Sequence, residues 1–281
     1  MITDHLYQDL LQTVSVYGDT IETRNALTKS CFDLDPLTFT QTPLVTLRKT
    51  AWKLALREME WFMSGDMKCP DELMPWWKDQ LGYGGMYRGG YSHQYRYSGF
   101  IGTQLNNFDQ IKYLLDGLRK NPNSRRLVMT TWNPSDMAHI TEINHNPLTP
   151  SCCHGSMIQL FVREGRVHMA HCQRSADLLL GVPHNWIQYW ALLLYFARHS
   201  ELDVGSLRWI FGDAHIYQEP SHLDAVKQLL RIPVQPEVDN SFNLLYNPSV
   251  DSTGVPEFKA SDFVMEGVIP EPKVFTKPKL L

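Results

Sequence analysis

No stretch of this 281-residue sequence is both long and apolar enough to cross a membrane; the best candidate, Trp186 to Ala197, is short and interrupted by Gln188. Met1-Ile2-Thr3-Asp4 lacks the basic and apolar regions of a secretion signal. Cysteine is scarce: five residues, at 31, 69, 152, 153 and 172, two of them adjacent, make a poor disulfide framework and point to a reduced cytoplasm. No C-x-x-C or H-x-x-x-H spacing occurs, so no metal is expected, and the histidines between 139 and 171 are read as ordinary polar side chains. Charge of one sign is also missing. With 26 basic and 30 acidic residues the net charge is -4, which argues against a nucleic-acid scaffold or a polybasic membrane anchor. A small anion remains compatible, because a pocket can gather a few arginines without changing the total. There is no internal repeat, low-complexity tract or Gly/Ser linker, so residues 1–281 are expected to form one domain.

What is present suggests an α+β chain, since helices and strands do not alternate and no Gly-rich phosphate loop follows a strand. Trp52 to Met63 has helical apolar spacing and stops at Ser64-Gly65-Asp66. Lys68 to Gly99 is rich in Gly, Tyr, Trp and Pro with little periodicity, an irregular length that is often functional. Asn107 to Arg119 reads as an amphipathic helix and Arg126 to Trp132 as a short strand. Ser156 to Val162 and Arg166 to Cys172 form a hairpin about Arg163-Glu164-Gly165. Asn185 to Arg198 is apolar on most faces and reads as a buried helix, while the proline-rich last forty residues read as extended structure on the surface.

Five places could carry chemistry. Cys152-Cys153-His154 precedes one strand of the hairpin, and Gln173-Arg174-Ser175-Ala176-Asp177 follows the other. The hairpin brings Cys153 and Arg174 together, where a guanidinium favours a thiolate and can hold a phosphate. A structural cysteine beside a surface arginine is the plainer alternative. Alternation points His215 and Tyr217 of Gly212-Asp213-Ala214-His215-Ile216-Tyr217 to one face, suited to gripping a sugar or merely to capping a loop. Ser124-Arg125-Arg126 offers two cations at a strand start, for a phosphate or only for solvent. Glu58 sits among apolar neighbours on a helix, where partial burial raises a carboxyl pKa toward proton-transfer use.

Taken in order, these motifs resemble the thymidylate synthase family. Gln173 to Asn185 resembles its Q-R-S-x-D-x-x-L-G-x-P-F-N, and Gly212 to Tyr217 its G-D-x-H-x-Y. Arg125-Arg126 followed by Trp132-Asn133 resembles R-R-x-x-x-x-x-W-N, Glu58 to Asp66 resembles E-L-L-W-F-L-x-G-D, and Tyr91 to Arg96 resembles Y-G-K-Q-W-R. The resemblance implies a large mixed sheet packed with helices and a homodimer formed sheet to sheet. It implies that Cys153 attacks C6 of a pyrimidine deoxynucleotide and that C5 takes a one-carbon unit from 5,10-methylenetetrahydrofolate. Glu58 then relays protons with His154 nearby, and Tyr91 assists removal of the C5 proton. Arg24, Arg174 and Ser175 hold the phosphate, with Arg125 and Arg126 supplied by the partner subunit. Gln173 and Asn185 lie on the nucleotide side, and His215 and Tyr217 bind the 3′-hydroxyl. Asp177, Leu180, Gly181, His184 and Trp77 belong to the folate side. Small-molecule partners are thus implied, with no nucleic acid and no membrane, in the cytoplasm (a host's, if a phage carries the gene).

Asn185 carries the base choice: a primary amide can accept from uracil N3–H and donate to O4, whereas family members acting on dCMP carry aspartate here. The sequence also departs from the family. Ser151-Cys152 replaces Pro-Pro, His184 replaces the phenylalanine of P-F-N, Gln80 replaces the second tryptophan of W-D-E-W, and the chain ends Lys277-Pro278-Lys279-Leu280-Leu281. Polar groups on the folate side, with His184 able to orient a water, favour a deoxyuridylate hydroxymethylase over thymidylate synthase proper; a dCMP hydroxymethylase and a non-catalytic nucleotide-binding relative stand behind these.

Overall fold

The computed structural model describes residues 3–23, 26–87, 89–98, 108–134, 152–235, 241–248 and 254–270. A seven-stranded mixed sheet organises them, in the order β1-β2-β7-β6-β5-β4 with β3 also on β7. The strands are β1 (Asp19–Glu22), β2 (Leu27–Cys31), β3 (Leu37–Phe39), β4 (Val128–Met129), β5 (Met157–Arg163), β6 (Arg166–Asp177) and β7 (Asp203–Tyr217). Only β6 and β7 pair in parallel; the other ladders are antiparallel. The β5–β6 hairpin turns where expected, at Glu164 (φ 52°) and Gly165 (φ 72°), the two positive values that suit a tight hairpin.

A parallel pair needs a crossover, and here the crossover contains a helix of 18 residues, Val182–His199. In chain order the helices are α1 (Thr3–Tyr17), α2 (Trp52–Ser64), α3 (Met74–Trp77), α4 (Tyr91–Tyr97), α5 (Gln110–Lys120), α6 (Val182–His199) and α7 (Pro220–Leu229). α6 is buried along almost its whole length because it packs against α2 as well as β6, β7 and β8 (Phe242–Tyr246). α2 ends at Gly65, whose φ of 82° suits a left-handed cap. α5 begins at Asp109, whose carboxylate accepts the Lys112 N–H at 2.9 Å. Of the last forty residues, the described part includes β9 (Phe263–Gly267) paired with β8.

The two sheet faces differ. Ile158, Leu160, Val167, Met169, His171 and Gln173 point inward and are buried. Met157 and Phe161 point outward and are exposed, beside half-buried Ala170, Cys172 and Ile210.

Three expectations need revision. Gln173 to Asp177 lies on β6 rather than after it, because the strand continues along β7 until Asp177 faces His215. The described residues of the segment 68–99 are more ordered than its periodicity suggests: α4 is helical, but its buried side chains are Tyr91, Ser92, His93, Gln94 and Tyr95, which form no apolar stripe. The strand expected over Arg126 to Trp132 pairs only at Val128–Met129. Among the described residues, no helix is long and apolar enough to cross a membrane.

Candidate active site

Residues 152–155 form a short loop entering β5, and almost every backbone group in it is held. The Tyr91 hydroxyl accepts the N–H groups of Cys153 (2.7 Å) and His154 (3.3 Å). The Thr131 hydroxyl donates to the carbonyls of His154 and Gly155 at 3.1 and 3.0 Å. Gly155 N–H donates to His171 Nε2 at 2.8 Å, and Ser175 N–H to the Cys153 carbonyl at 3.2 Å. Gly155 has φ of 63°, and a Cβ there would come within 2.6 Å of the Tyr189 hydroxyl, so glycine is required twice over.

The loop leaves Cys153 partly exposed while burying Cys152 and His154. Arg174 on β6 reaches back across the hairpin: its Nη2 lies 4.0 Å from Cys153 Sγ and 3.4 Å from the Cys152 carbonyl, and its guanidinium covers the Trp132 ring at 5.0 Å. A fixed cation beside the sulfur favours the nucleophilic thiolate. His154 stacks on Tyr91 (ring centroids 4.3 Å apart) and shares a hydrogen bond with the Tyr189 hydroxyl at 2.8 Å. Burial pushes its pKa down to about 3, so it supports the loop as a neutral ring at neutral pH. Burial likewise raises Tyr91 and Tyr189 well above the usual phenol value.

Glu58 is half-buried on α2, with the Trp77 indole N–H donating to Oε1 and the Gln188 amide donating to Oε2. Burial raises its pKa, and the two N–H donors only partly oppose this. Gln188 extends the network: its Nε2 also donates to the Ala55 carbonyl (3.1 Å), and its Oε1 accepts from Asn185 Nδ2 (3.0 Å). Asn185 Oδ1 in turn accepts from Gln173 Nε2 at 3.0 Å. The motifs do not single out Gln188. Its signal in the sequence is an amide inside an otherwise apolar run, which is uncommon in a buried helix unless partners await it.

His215 and Tyr217 lie on one face of β7, their rings 5.2 Å apart. His215 Nδ1 is 3.2 Å from Asp213 Oδ2, and the Ser30 hydroxyl donates to Asp213 Oδ1. Burial alone would raise Asp213, but the adjacent His215 ring and the hydrogen bond from Ser30 bring it below the usual carboxylate value. Burial alone would lower His215, but Asp213 and Asp177 raise it. Register places Ser175 opposite Asp213 and Asp177 opposite His215, so β6 presents Arg174 and Ser175 beside them. Gly212 permits this close packing: a Cβ there would lie 2.6 Å from the Arg174 carbonyl.

Arg125 and Arg126 are exposed before β4 and are not brought to Cys153 within this chain. Val128 faces Gln159, so Arg126 lies toward the Phe161 end of β5, whereas Cys153 adjoins the Met157 end. Arg24 lies outside the described residues, as do Ser151 and the C-terminal Lys277 to Leu281.

On the opposite side, Asp177 Oδ1 accepts the N–H groups of Leu179 (2.9 Å) and Leu180 (3.0 Å), holding the turn that leads through Gly181 into α6. Gly181 lies beside the Asn185 amide, since a Cβ there would sit 3.4 Å from Asn185 Oδ1. His184 corrects an expectation. Its Nδ1–H donates to the Leu180 carbonyl (2.7 Å) and its Nε2 accepts from Ala51 N–H (3.2 Å), so both ring nitrogens are committed to backbone and neither orients a water. Burial pushes its pKa down to about 4. Trp77 is buried among Trp61, Phe62, Tyr87 and Tyr91, while Gln80 is exposed. Among the described residues, no group of three or more His, Cys, Asp or Glu side chains could hold a metal ion.

The Cys153 thiol, Arg174 guanidinium, Glu58 carboxyl group and Asn185 amide thus come from the loop before β5, from β6, from α2 and from α6. The family model for thymidylate synthase matches residues 5–279, nearly the whole chain. The protein belongs to the thymidylate synthase family, one-carbon transferases that draw on 5,10-methylenetetrahydrofolate and act at C5 of a deoxyuridylate.

Proposed function

We propose that this enzyme converts dUMP to 5-hydroxymethyl-dUMP. The observation that carries the common part of the reaction is the placement of Cys153 Sγ 4.0 Å from Arg174, beside an Asn185 amide linked through Gln188 to Glu58. The Cys153 thiolate adds to C6 of the pyrimidine, and the C5–C6 electron pair moves toward C5 and O4. Asn185 supports the charge on O4 and Glu58 supplies or accepts protons through water. When bound, 5,10-methylenetetrahydrofolate supplies the one-carbon unit; the buried aromatic cluster of Trp61, Phe62, Trp77, Tyr87 and Tyr91 backs the Glu58 side of the site. The Tyr91 hydroxyl, which accepts from the Cys153 and His154 N–H groups, would help a water remove the C5 proton. Loss of that proton with departure of tetrahydrofolate would leave a methylene on C5; water would add to it, and the electron pair returning to the ring would expel the Cys153 thiolate and restore the C5–C6 double bond.

Water as the final nucleophile is supported by Trp77 and Gln80. Trp77 is 7% exposed and tied to Glu58, so it offers little open ring surface, and the exposed Gln80 presents an amide instead of a second indole. A second reading, thymidylate synthase proper, is favoured by the commitment of His184 to backbone, which removes one water-holding group. Mass spectrometry of the nucleotide product, with dihydrofolate absorbance followed in the same tube, separates them. A hydroxymethyl product without dihydrofolate is expected; dTMP with stoichiometric dihydrofolate overturns the proposal in favour of the second reading.

We infer that residues 1–281 act as one catalytic unit and as a homodimer. The outward face bearing Met157, Phe161, Ala170, Cys172 and Ile210 is apolar enough to pair with a second copy, and Arg125 and Arg126 stand free to serve the partner's phosphate site. None of the five cysteines forms a disulfide, which suits a reducing cytoplasm.

A further inference from the structure

The buried amide chain from Gln173 through Asn185 and Gln188 to Glu58 has a direction, and that direction is set at its ends. At one end, Gln188 faces the Ala55 carbonyl at 3.1 Å and the Glu58 carboxyl group, both of which accept hydrogen bonds. Its NH2 group must point there, which leaves Oε1 toward Asn185. Asn185 must therefore offer Nδ2 to Gln188, which turns Oδ1 toward Gln173. At the other end, Gln173 Nε2 faces the Ser175 carbonyl at 3.2 Å, so it too arrives as a donor. Two backbone carbonyls and one carboxyl group thus fix three amides that would otherwise be free to turn over.

We propose that Gln188 is a specificity-determining positioning residue, holding the Asn185 amide in the one orientation that matches a pyrimidine with a ring N–H beside a carbonyl. This rests on the reading of Asn185 as the group that meets the base. Cytosine offers the reverse pattern, an unprotonated ring nitrogen beside an amino group. To meet it, Asn185 would have to turn over, setting Oδ1 against Gln188 Oε1 and Nδ2 against Gln173 Nε2. Turning Gln188 as well would set its oxygen against the Ala55 carbonyl and Glu58. Each mismatch is buried, so water cannot relieve it: Asn185 is 6% exposed, Gln173 2% and Gln188 0%. The same residue also joins the base-reading amide to the proton-relaying acid, so the site that selects the substrate is braced against the group that works on it.

The test compares dUMP and dCMP binding by isothermal titration calorimetry in the wild-type enzyme and in Gln188→Met, which keeps length and bulk but removes both amide functions. Wild-type enzyme is expected to prefer dUMP. In the variant that preference should fall by roughly tenfold or more, since each mismatched amide pair is worth about that much. Full preference in a folded variant overturns the role of Gln188 alone. Equal binding of both nucleotides by wild-type enzyme overturns the base reading and this inference with it.

A merely structural role would not move the pH profile of kcat/KM, but loss of an N–H donor to Glu58 shifts its acid limb to higher pH. The other ionisable side chains that sense Glu58 are Cys69 and Tyr189, both raised by burial and so neutral across that limb. An unshifted limb counts against the coupling. If Gln188→Met fails to fold, the wild-type protein still decides. The side-chain amide protons of Gln188 and Asn185 should be strongly protected from hydrogen exchange, and exchange at the rate of free amides overturns the lock.

Discussion

The proposed nucleotide and folate halves of this site are built from different kinds of structure. On the nucleotide half, Arg174, Ser175, His215 and Tyr217 sit on β6 and β7, whose parallel register fixes their spacing residue by residue. On the folate half, Trp77, Asp177 and His184 sit on a one-turn helix, a strand end and a helix start, and each spends its polar atoms inside the protein. Trp77 donates to Glu58, Asp177 accepts from Leu179 and Leu180, and His184 bonds Leu180 and Ala51. A ladder fixes the spacing of its side chains and lets one such as His215 pair with another side chain, Asp213; a turn or helix end has orphan backbone groups and recruits nearby polar side chains to satisfy them. Polar residues substituted into the folate half therefore need not add polarity to the pocket.

The largest effect that sharpens this contrast lies on the nucleotide side. Cys153→Ser should lower turnover on the order of a thousandfold or more while leaving dUMP affinity within a few fold, because the loop is held through its backbone. Single-turnover kinetics beside calorimetry decides this, and substantial residual turnover removes the nucleophile assignment. A smaller effect is expected at Arg126, where Arg126→Ala should raise the nucleotide KM by roughly tenfold with little change in kcat. Mixing Arg126→Ala chains with inactive Cys153→Ser chains should regenerate one intact site per mixed dimer. No recovery of activity after subunit exchange rules out shared sites.

The smallest effect on chemistry should come from His184→Phe on the folate side, with kcat and product unchanged. Its signature is in stability. The folded His184 pKa, about 4, lies below its ordinary 6.5, so as pH falls through that interval the unfolded chain takes up the proton first. Stability is present above pH 6.5 and is lost toward pH 4, by about 3 kcal/mol at most for this group. Phenylalanine removes that loss, so melting temperatures of the variant should fall less steeply across the interval. His154, with its pKa near 3, leaves a residual slope in the same direction. A product that changes from hydroxymethyl to methyl in His184→Phe would place the histidine on the water path despite its backbone bonds.

Much of this was legible in the residues. The hairpin about Glu164-Gly165, the end of α2 at Gly65 and the buried α6 follow from turn chemistry and apolar spacing, which are local. The meeting of Cys153 with Arg174 follows once the hairpin is recognised. α4 escaped because its buried face is made of tyrosine, histidine and glutamine, and an apolar count cannot find a helix that buries polar rings among partners. The extension of β6 to Asp177 escaped because its second partner, β7, lies beyond a whole helix in sequence.

By itself, then, the sequence determined the family and offered Cys153, Glu58 and Asn185 as candidates for nucleophile, acid and base-reading amide, because motifs depend on residue type in a fixed order. Only the tertiary structure decided what each polar atom is free to do. His184 and Gln188 are both polar residues on one apolar helix, and nothing in their neighbours along the chain tells them apart. One is consumed by the backbone at Ala51 and Leu180, and the other carries a hydrogen-bonded link from Glu58 to Asn185. The difference arises because hydrogen bonds are short and directional, and the partners that complete them are brought close only when distant segments pack.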